Sequence, residues 1–294
     1  MLTSASLVSI LNEYLLAHRV SAGAAYQLRR SLALFRSYLD REPTIADFRP
    51  DLVSDWLRGL EPDYSLRTIK GHRANLLTLW RDAAASGCVD YPFRVRVYRS
   101  PRPNPAAWTP AELRQLLAAC ALTIGRLPVG ASESRKRAKN REHSGPPVAD
   151  YFAAIIRAAY ETGLRFSDLI ELRRKDFHAT GAISIVQRKT GDQHTARLTA
   201  ATLGIVLDLP GDKPLAWPLA RSSFYREFDR IRTAAGVRKI GAMHAIRRTG
   251  ATQVAIVSPD KVQRFLGHRT PGCQVHYVDR SQIPAAAVEP PAIF

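Results

Sequence analysis

The stretch RFLGHRTPGCQVHYVDR, residues 264–280, decides how this chain is read. Phe265 and Leu266 run up to Gly267, the residue type that ends helices because it turns left-handed without a Cβ clash. His268 follows at once, and Tyr277 stands nine residues later beside a second imidazole, His276, which is expected to face solvent. A phenol has a pKa of about 10 and is a weak nucleophile at neutral pH unless neighbours stabilise its charge or take its proton. A phosphodiester target adds two demands: cations on the non-bridging oxygens and a proton for the departing oxygen. The rest of the chain must then supply arginines, an acid, and imidazole or ammonium groups on ordered elements.

These residues are present. TGLRFSDLIEL, 162–172, places Arg165 ahead of a helix whose expected cap is Ser167, with Asp168 three residues on and able to hold the guanidinium. HAIRR, 244–248, sets His244 and Arg247 three apart, on one face of one helix. RKTGDQHTARLT continues an alternating run, so a hairpin is expected with Gly191 and Asp192 in its turn and Lys189 at the end of its first strand. Each residue alone has an ordinary structural reading: an ion pair, a packed imidazole, a solvated strand end, a core tyrosine. Their joint occurrence carries the inference.

In these pieces the chain resembles the tyrosine recombinase (phage-type integrase) family. TGLRFSDLIELRRKDF, RKTGD in a hairpin, HAIRRTGAT, LGHRT and the tyrosine nine residues past that histidine occur in the family's order over 160–280. The resemblance implies an all-α N-terminal core-binding domain and a mainly α catalytic domain with a small antiparallel β-sheet. It implies that Tyr277 attacks the scissile phosphate, leaving a 3′-phosphotyrosyl link and a free 5′-hydroxyl. Arg165 and Arg247 would clamp the non-bridging oxygens, with His268 donating a further hydrogen bond. Lys189 would protonate the leaving 5′-oxygen, His244 would assist proton transfer at the tyrosine, and Asp168 would support them from behind. No metal, ATP or other cofactor is implied, in keeping with the absence of HExxH, P-loop and zinc-ligand motifs. The implied function is site-specific recombination of duplex DNA at paired inverted half-sites, by a homo-oligomer of two to four copies. Its rivals are a type IB topoisomerase-like enzyme and a catalytically inert DNA-binding regulator.

Charge agrees with a polyanionic partner. The chain carries 43 Lys and Arg against 26 Asp and Glu, a net charge of +17. The excess is +5 over residues 1–107 and +12 over 108–294, so both halves are basic. Arginine and lysine contacts to phosphate supply most non-specific nucleic-acid affinity. No apolar run reaches the roughly 20 residues of a membrane span, and the start lacks the basic, uninterrupted apolar pattern of a signal peptide. Three cysteines without CxxC spacing imply neither a disulfide framework nor a zinc knuckle. A cytoplasmic, nucleoid-associated protein is expected.

Periodicity sets the organisation. Residues 1–92 read as a helical DNA-binding domain: four segments show apolar spacings of three and four, with Ser6, Ser21 and Ser65 as caps. On the fourth, Arg67, Lys70 and Arg73 are candidate DNA contacts. Four prolines and four arginines in YPFRVRVYRSPRPNPAAW, 91–108, break the pattern, and residues 93–107 are expected to be a linker. The catalytic domain follows over 108–281. Within it, the RKRAKNR cluster is either a phosphate-contacting loop, with Arg135, Lys136 and Arg137 as the contacts, or a solvated insertion. A Pro- and Ala-rich tail, 282–294, ends apolar and is a candidate for docking on a neighbouring protomer.

Overall fold

This computed structural model describes residues 5–99, 104–128 and 143–284. They divide into two compact units on either side of residues 102 and 103.

The first unit is built from α1 (Leu7–Ala17), α2 (Ala22–Leu39), α3 (Pro50–Gly59) and α4 (Leu66–Ala85). Ser6, Ser21 and Ser65 accept the N–H groups of Val8, Ala24 and Thr68 at 3.1, 3.2 and 3.3 Å, satisfying donors that a helix start leaves unpaired. Leu11, Leu32, Phe35, Trp56, Leu57, Ile69, Leu76 and Trp80 close the core. Residues 93–99, assigned to the linker on proline content, instead return to this core. Val95 and Tyr98 are buried in it, and the Tyr98 hydroxyl donates to Glu61 at 2.9 Å. Two apolar side chains outweigh the extended tendency of the prolines. Arg73 donates to the carbonyls of Arg96 and Val95, at 2.7 and 3.3 Å, so part of its guanidinium is used internally. Arg67 and Lys70 stand exposed on α4.

The second unit is organised around α6 (Val148–Thr162), which buries Tyr151, Phe152, Ile155, Ile156 and Ala159. Against it pack α5 (Pro110–Cys120), α8 (Ala200–Asp208) and α10 (Met243–Val257). Phe224 and Phe228 of α9 (Arg221–Ala234) join Phe152, Trp108 and Trp217 in an aromatic core. Strands β1 (Ala182–Val186) and β2 (Gln193–Arg197) pair antiparallel, Ala182 opposite Arg197 and Val186 opposite Gln193. Lys189 lies in the connecting turn, not at the end of β1. The helix expected to be capped by Ser167 is the single turn α7 (Phe166–Leu169). It starts earlier than expected because the Arg165 carbonyl already accepts the N–H groups of Asp168 and Leu169, at 2.9 and 3.0 Å. α11 (Val262–Leu266) stops at Gly267. Tyr277 follows a 3-10 stretch, Pro271–His276, and does not sit on a helix of its own.

Helix α10 approaches α6 at Gly250, where a Cβ would lie 2.5 Å from the Tyr160 carbonyl oxygen and 2.9 Å from the Phe265 ring. A backbone carbonyl has little room to yield. Gly250→Ala is expected to lower stability by roughly 1–3 kcal/mol, outweighing the ~1 kcal/mol that alanine gains in a helix. Urea unfolding of the variant beside the parent protein measures this.

Candidate active site

Arg247 is buried within α10, at 1% exposure. Its Nη1 donates to the Gly163 carbonyl at the end of α6, and its Nη2 donates to the Leu266 carbonyl at the end of α11, at 2.8 Å. Helix ends present unpaired carbonyls with partial negative charge, so a buried cation finds acceptors there. Burial lowers the pKa of Arg247 to about 10, opposed by the Tyr277 phenol and Asp168 and reinforced by Arg165. It stays charged at neutral pH.

Nη2 of Arg247 also lies 3.2 Å from His268 Nε2. A guanidinium only donates, so a neutral His268 accepts there and carries its proton on Nδ1. That Nδ1 is buried and has no partner, and neither has Arg247 Nε. The Arg247 guanidinium carbon is 5.0 Å from the centroid of the Tyr277 ring. The rings of His244 and His268 are centred 5.0 and 4.9 Å from the same phenol. Tyr277 itself is half-buried against a small apolar cluster of Ala251, Ala255, Val262, Leu266 and Val278. The neighbouring His276 is exposed.

Arg165 Nη1 donates to Gln187 Oε1 at 2.6 Å and lies 3.8 Å from Asp168 Oδ2. The second distance is an ion pair without a hydrogen bond. Asp168 thus pairs with the guanidinium through Oδ2, while its Oδ1 accepts the Arg188 N–H at 3.2 Å, tying α7 to the hairpin turn. Lys189 is exposed in that turn, makes no hydrogen bond or ion pair among the described residues, and lends its field to His244. Partial burial, then the positive fields of Arg248, Arg247, Arg165 and Lys189, lower His244 to about 4, although its side chain still reaches solvent. Burial, followed by Arg247 and Arg165, lowers His268 to about 4.

The structure therefore gathers Arg165, His244, Arg247, His268 and Tyr277, with Asp168 behind and Lys189 in the nearby turn. Sequence reasoning missed Gln187 and His194, both buried. Gln187 joins Arg165 to Thr190 Oγ1, 3.3 Å away in the hairpin turn. A Cβ at Gly267 would collide with the Gln187 amide and lie 2.7 Å from His194 Nδ1, so position 267 needs glycine for space as well as for its φ of 60°. The available signal was a histidine opposite Ile185, at an inward position of a hairpin where an apolar residue is the norm. Of the candidate DNA contacts, Arg67, Lys70 and Arg73 belong to the first unit. Arg135, Lys136, Arg137 and residues 285–294 of the tail lie outside the described residues. Among the described residues no group of three or more His, Cys, Asp or Glu is placed to hold a metal ion, and no helix is long and apolar enough to cross a membrane.

The phage integrase family model matches residues 140–282, a span that contains every group gathered here. That span belongs to the phage integrase family. Its fold is similar to that of a lambda integrase dimer bound to a COC′ core site, with a TM-score of 0.73 at 20% identity, covering 98% of this chain and 81% of that one. A lambda integrase tetramer bound to a Holliday junction gives 0.71 at 20% identity, covering 97% and 81%. The Tn1549 transposon integrase in complex with a circular intermediate DNA gives 0.70 at 14% identity, covering 94% and 95%. At such identities the likeness is one of fold. No curated protein matches the chain.

The depressed histidines make stability pH-dependent. With folded values of about 4 for His244 and His268, and about 6.5 in the unfolded chain, the unfolded state binds more protons between those limits. Their contribution is present above pH about 6.5 and is lost as pH falls towards 4. Unfolding free energy, measured by urea at a series of pH values, is expected to decline over that window. Replacing both histidines with glutamine should flatten the decline.

Proposed function

We propose that the chain is a site-specific DNA recombinase that cuts and rejoins duplex DNA through a covalent tyrosyl intermediate. The observation that carries this reading is one phenol ring centred 5.0 and 4.9 Å from two imidazoles and 5.0 Å from a buried guanidinium. Tyr277 Oη attacks the scissile phosphorus, a Tyr–O–P bond forms, and the P–O5′ bond breaks. His244, neutral at pH 7, accepts the phenolic proton, and Lys189 supplies the proton that the departing O5′ takes up. Arg165 and Arg247 hold the non-bridging oxygens. An anionic oxygen is a better acceptor for Arg247 Nη2 than an imidazole lone pair. Its arrival therefore displaces the contact with His268 and leaves His268 Nε2 free to bind a proton and donate to the phosphate. Attack by a 5′-hydroxyl on the tyrosyl link reverses every bond change, so the energy of the original diester is retained.

The partner follows from charge and likeness. The net charge of +17 suits duplex DNA, and the lambda and Tn1549 integrases of similar fold are bound to DNA, the lambda protein as dimer and tetramer. We read the first unit as the core-binding domain, with Arg67 and Lys70 on phosphates. The active form is a dimer to tetramer on paired inverted half-sites, acting where the cell's DNA lies.

Sequencing of DNA recovered covalently attached to the protein identifies the site and the linkage together. The parent protein is expected to yield a 3′-linked adduct. Tyr277→Phe is expected to keep its DNA affinity and lose attachment altogether, and an adduct persisting in that variant removes Tyr277 as nucleophile. DNA binding by the parent with no adduct on any nicked duplex supports a non-catalytic binder. Plasmid relaxation with no need for paired sites supports a topoisomerase.

A further inference from the structure

The segment that carries Tyr277 is tied down by one residue outside the reacting groups. Asp279 is buried, at 4% exposure. Its Oδ1 accepts from Asn104 Nδ2 at 2.7 Å, the Ser281 N–H at 3.1 Å and the Ser281 hydroxyl at 2.6 Å. Its Oδ2 accepts from the Ala107 N–H at 2.9 Å and Gln282 Nε2 at 3.2 Å. Its own N–H donates to Thr252 Oγ1 on α10 at 2.9 Å. On either side, the Arg280 N–H donates to Asn104 Oδ1 at 3.1 Å and the Trp108 N–H to Thr249 Oγ1 on α10 at 3.0 Å. Burial alone would raise the Asp279 carboxyl; donors from Ser281, Ala107 and Asn104 outweigh it and hold the group at about 2. Residues 104–108 are thus laced both to α10, which carries His244 and Arg247, and to the residues just past Tyr277.

We propose that Asp279 is a positioning residue for the nucleophile. It ties the Tyr277 segment to the entry of the second unit and to α10, so that the phenol stands among His244, Arg247 and His268 before DNA arrives. Only its catalytic consequence rests on the recombinase reading; the placement of the ring does not. Five donors converge on two oxygens, a demand met by an ionised carboxylate, which accepts only. The isosteric change Asp279→Asn turns one oxygen into an NH₂ facing another donor, either the Ala107 N–H or those of Ser281. A ring displaced by about 1 Å loses roughly 100-fold in rate while groundstate binding is left intact.

Two measurements decide it. In the DNA-free protein, the ring current of Tyr277 shifts the NMR signals of the His244 and His268 Cε1 protons, and Tyr277→Leu supplies the unshifted reference. Asp279→Asn and Asp279→Ala are expected to move both signals towards that reference, with His72 of the first unit unchanged. Asn104→Ala, which removes one donor and is the milder variant, is expected to move them part of the way. Unmoved signals in all three variants overturn the proposal. In single turnovers on a nicked duplex of the sequence recovered with the parent protein, both Asp279 variants are expected to form adduct about 100-fold more slowly, with DNA affinity held within about twofold. Rates equal to the parent's overturn the inference and leave the recombinase reading standing. A parent that forms no adduct overturns that reading, and the NMR shifts still decide the role of Asp279.

Discussion

A buried guanidinium without a hydrogen-bonded carboxylate is the constraint around which the second unit is arranged. Burying an unpaired cation costs several kcal/mol, and Arg247 meets that cost with the carbonyls of Gly163 and Leu266. Those acceptors exist only if α6 ends at Thr162 and α11 ends at Leu266, each followed by a left-handed glycine. Two helix lengths are therefore matched to one side chain. The same endpoints place Arg165 in the turn after α6 and His268 in the turn after α11, so two of the groups near the phenol are consequences of where two helices stop.

The electrostatics of this arrangement is unbalanced. Arg165, Arg247, Arg248 and Lys189 all act on His244 in the direction that disfavours its protonation, and Arg247 with Arg165 does the same to His268. The nearest counter-charge to Arg165 is Asp168 at 3.8 Å, and that carboxylate's hydrogen bond goes to the hairpin backbone. Cations held together with so little compensation repel one another in the free protein, a repulsion that negative charge entering among them would relieve.

Much of this was legible in the sequence because it depends on local rules. Serines 6, 21 and 65 cap where hydroxyls precede apolar periodicity, and Gly267 ends a helix where its φ is positive. The hairpin followed from alternation around Gly191 and Asp192. What escaped depends on partners distant in sequence. Spacing paired Arg165 with Asp168, three residues away, whereas its hydrogen bond reaches Gln187, 22 residues on and across the hairpin. Proline content suggested a free linker, whereas Val95 and Tyr98 found an apolar face to cover. Arg73 looked like a free surface cation until residues 95 and 96 returned to it. Helix α8 went unremarked because LGIVL within it is apolar without a clear face, and only packing against α6 distinguishes it from a strand.

The position of Tyr277 raises a problem that local rules do not solve. The apolar contacts of its ring are with a small cluster, too little by itself to hold the phenol oxygen to a fraction of an ångström. Asp279 supplies what the cluster lacks by joining positions 175 residues apart, Asn104 at the beginning of the second unit and itself near the end. The unit closes on itself beside the phenol, and α10 is gripped at Thr249 and Thr252 by the two strands of that closure. The helix bearing His244 and Arg247 and the segment bearing Tyr277 therefore share one set of hydrogen bonds, which makes their mutual geometry a property of the fold.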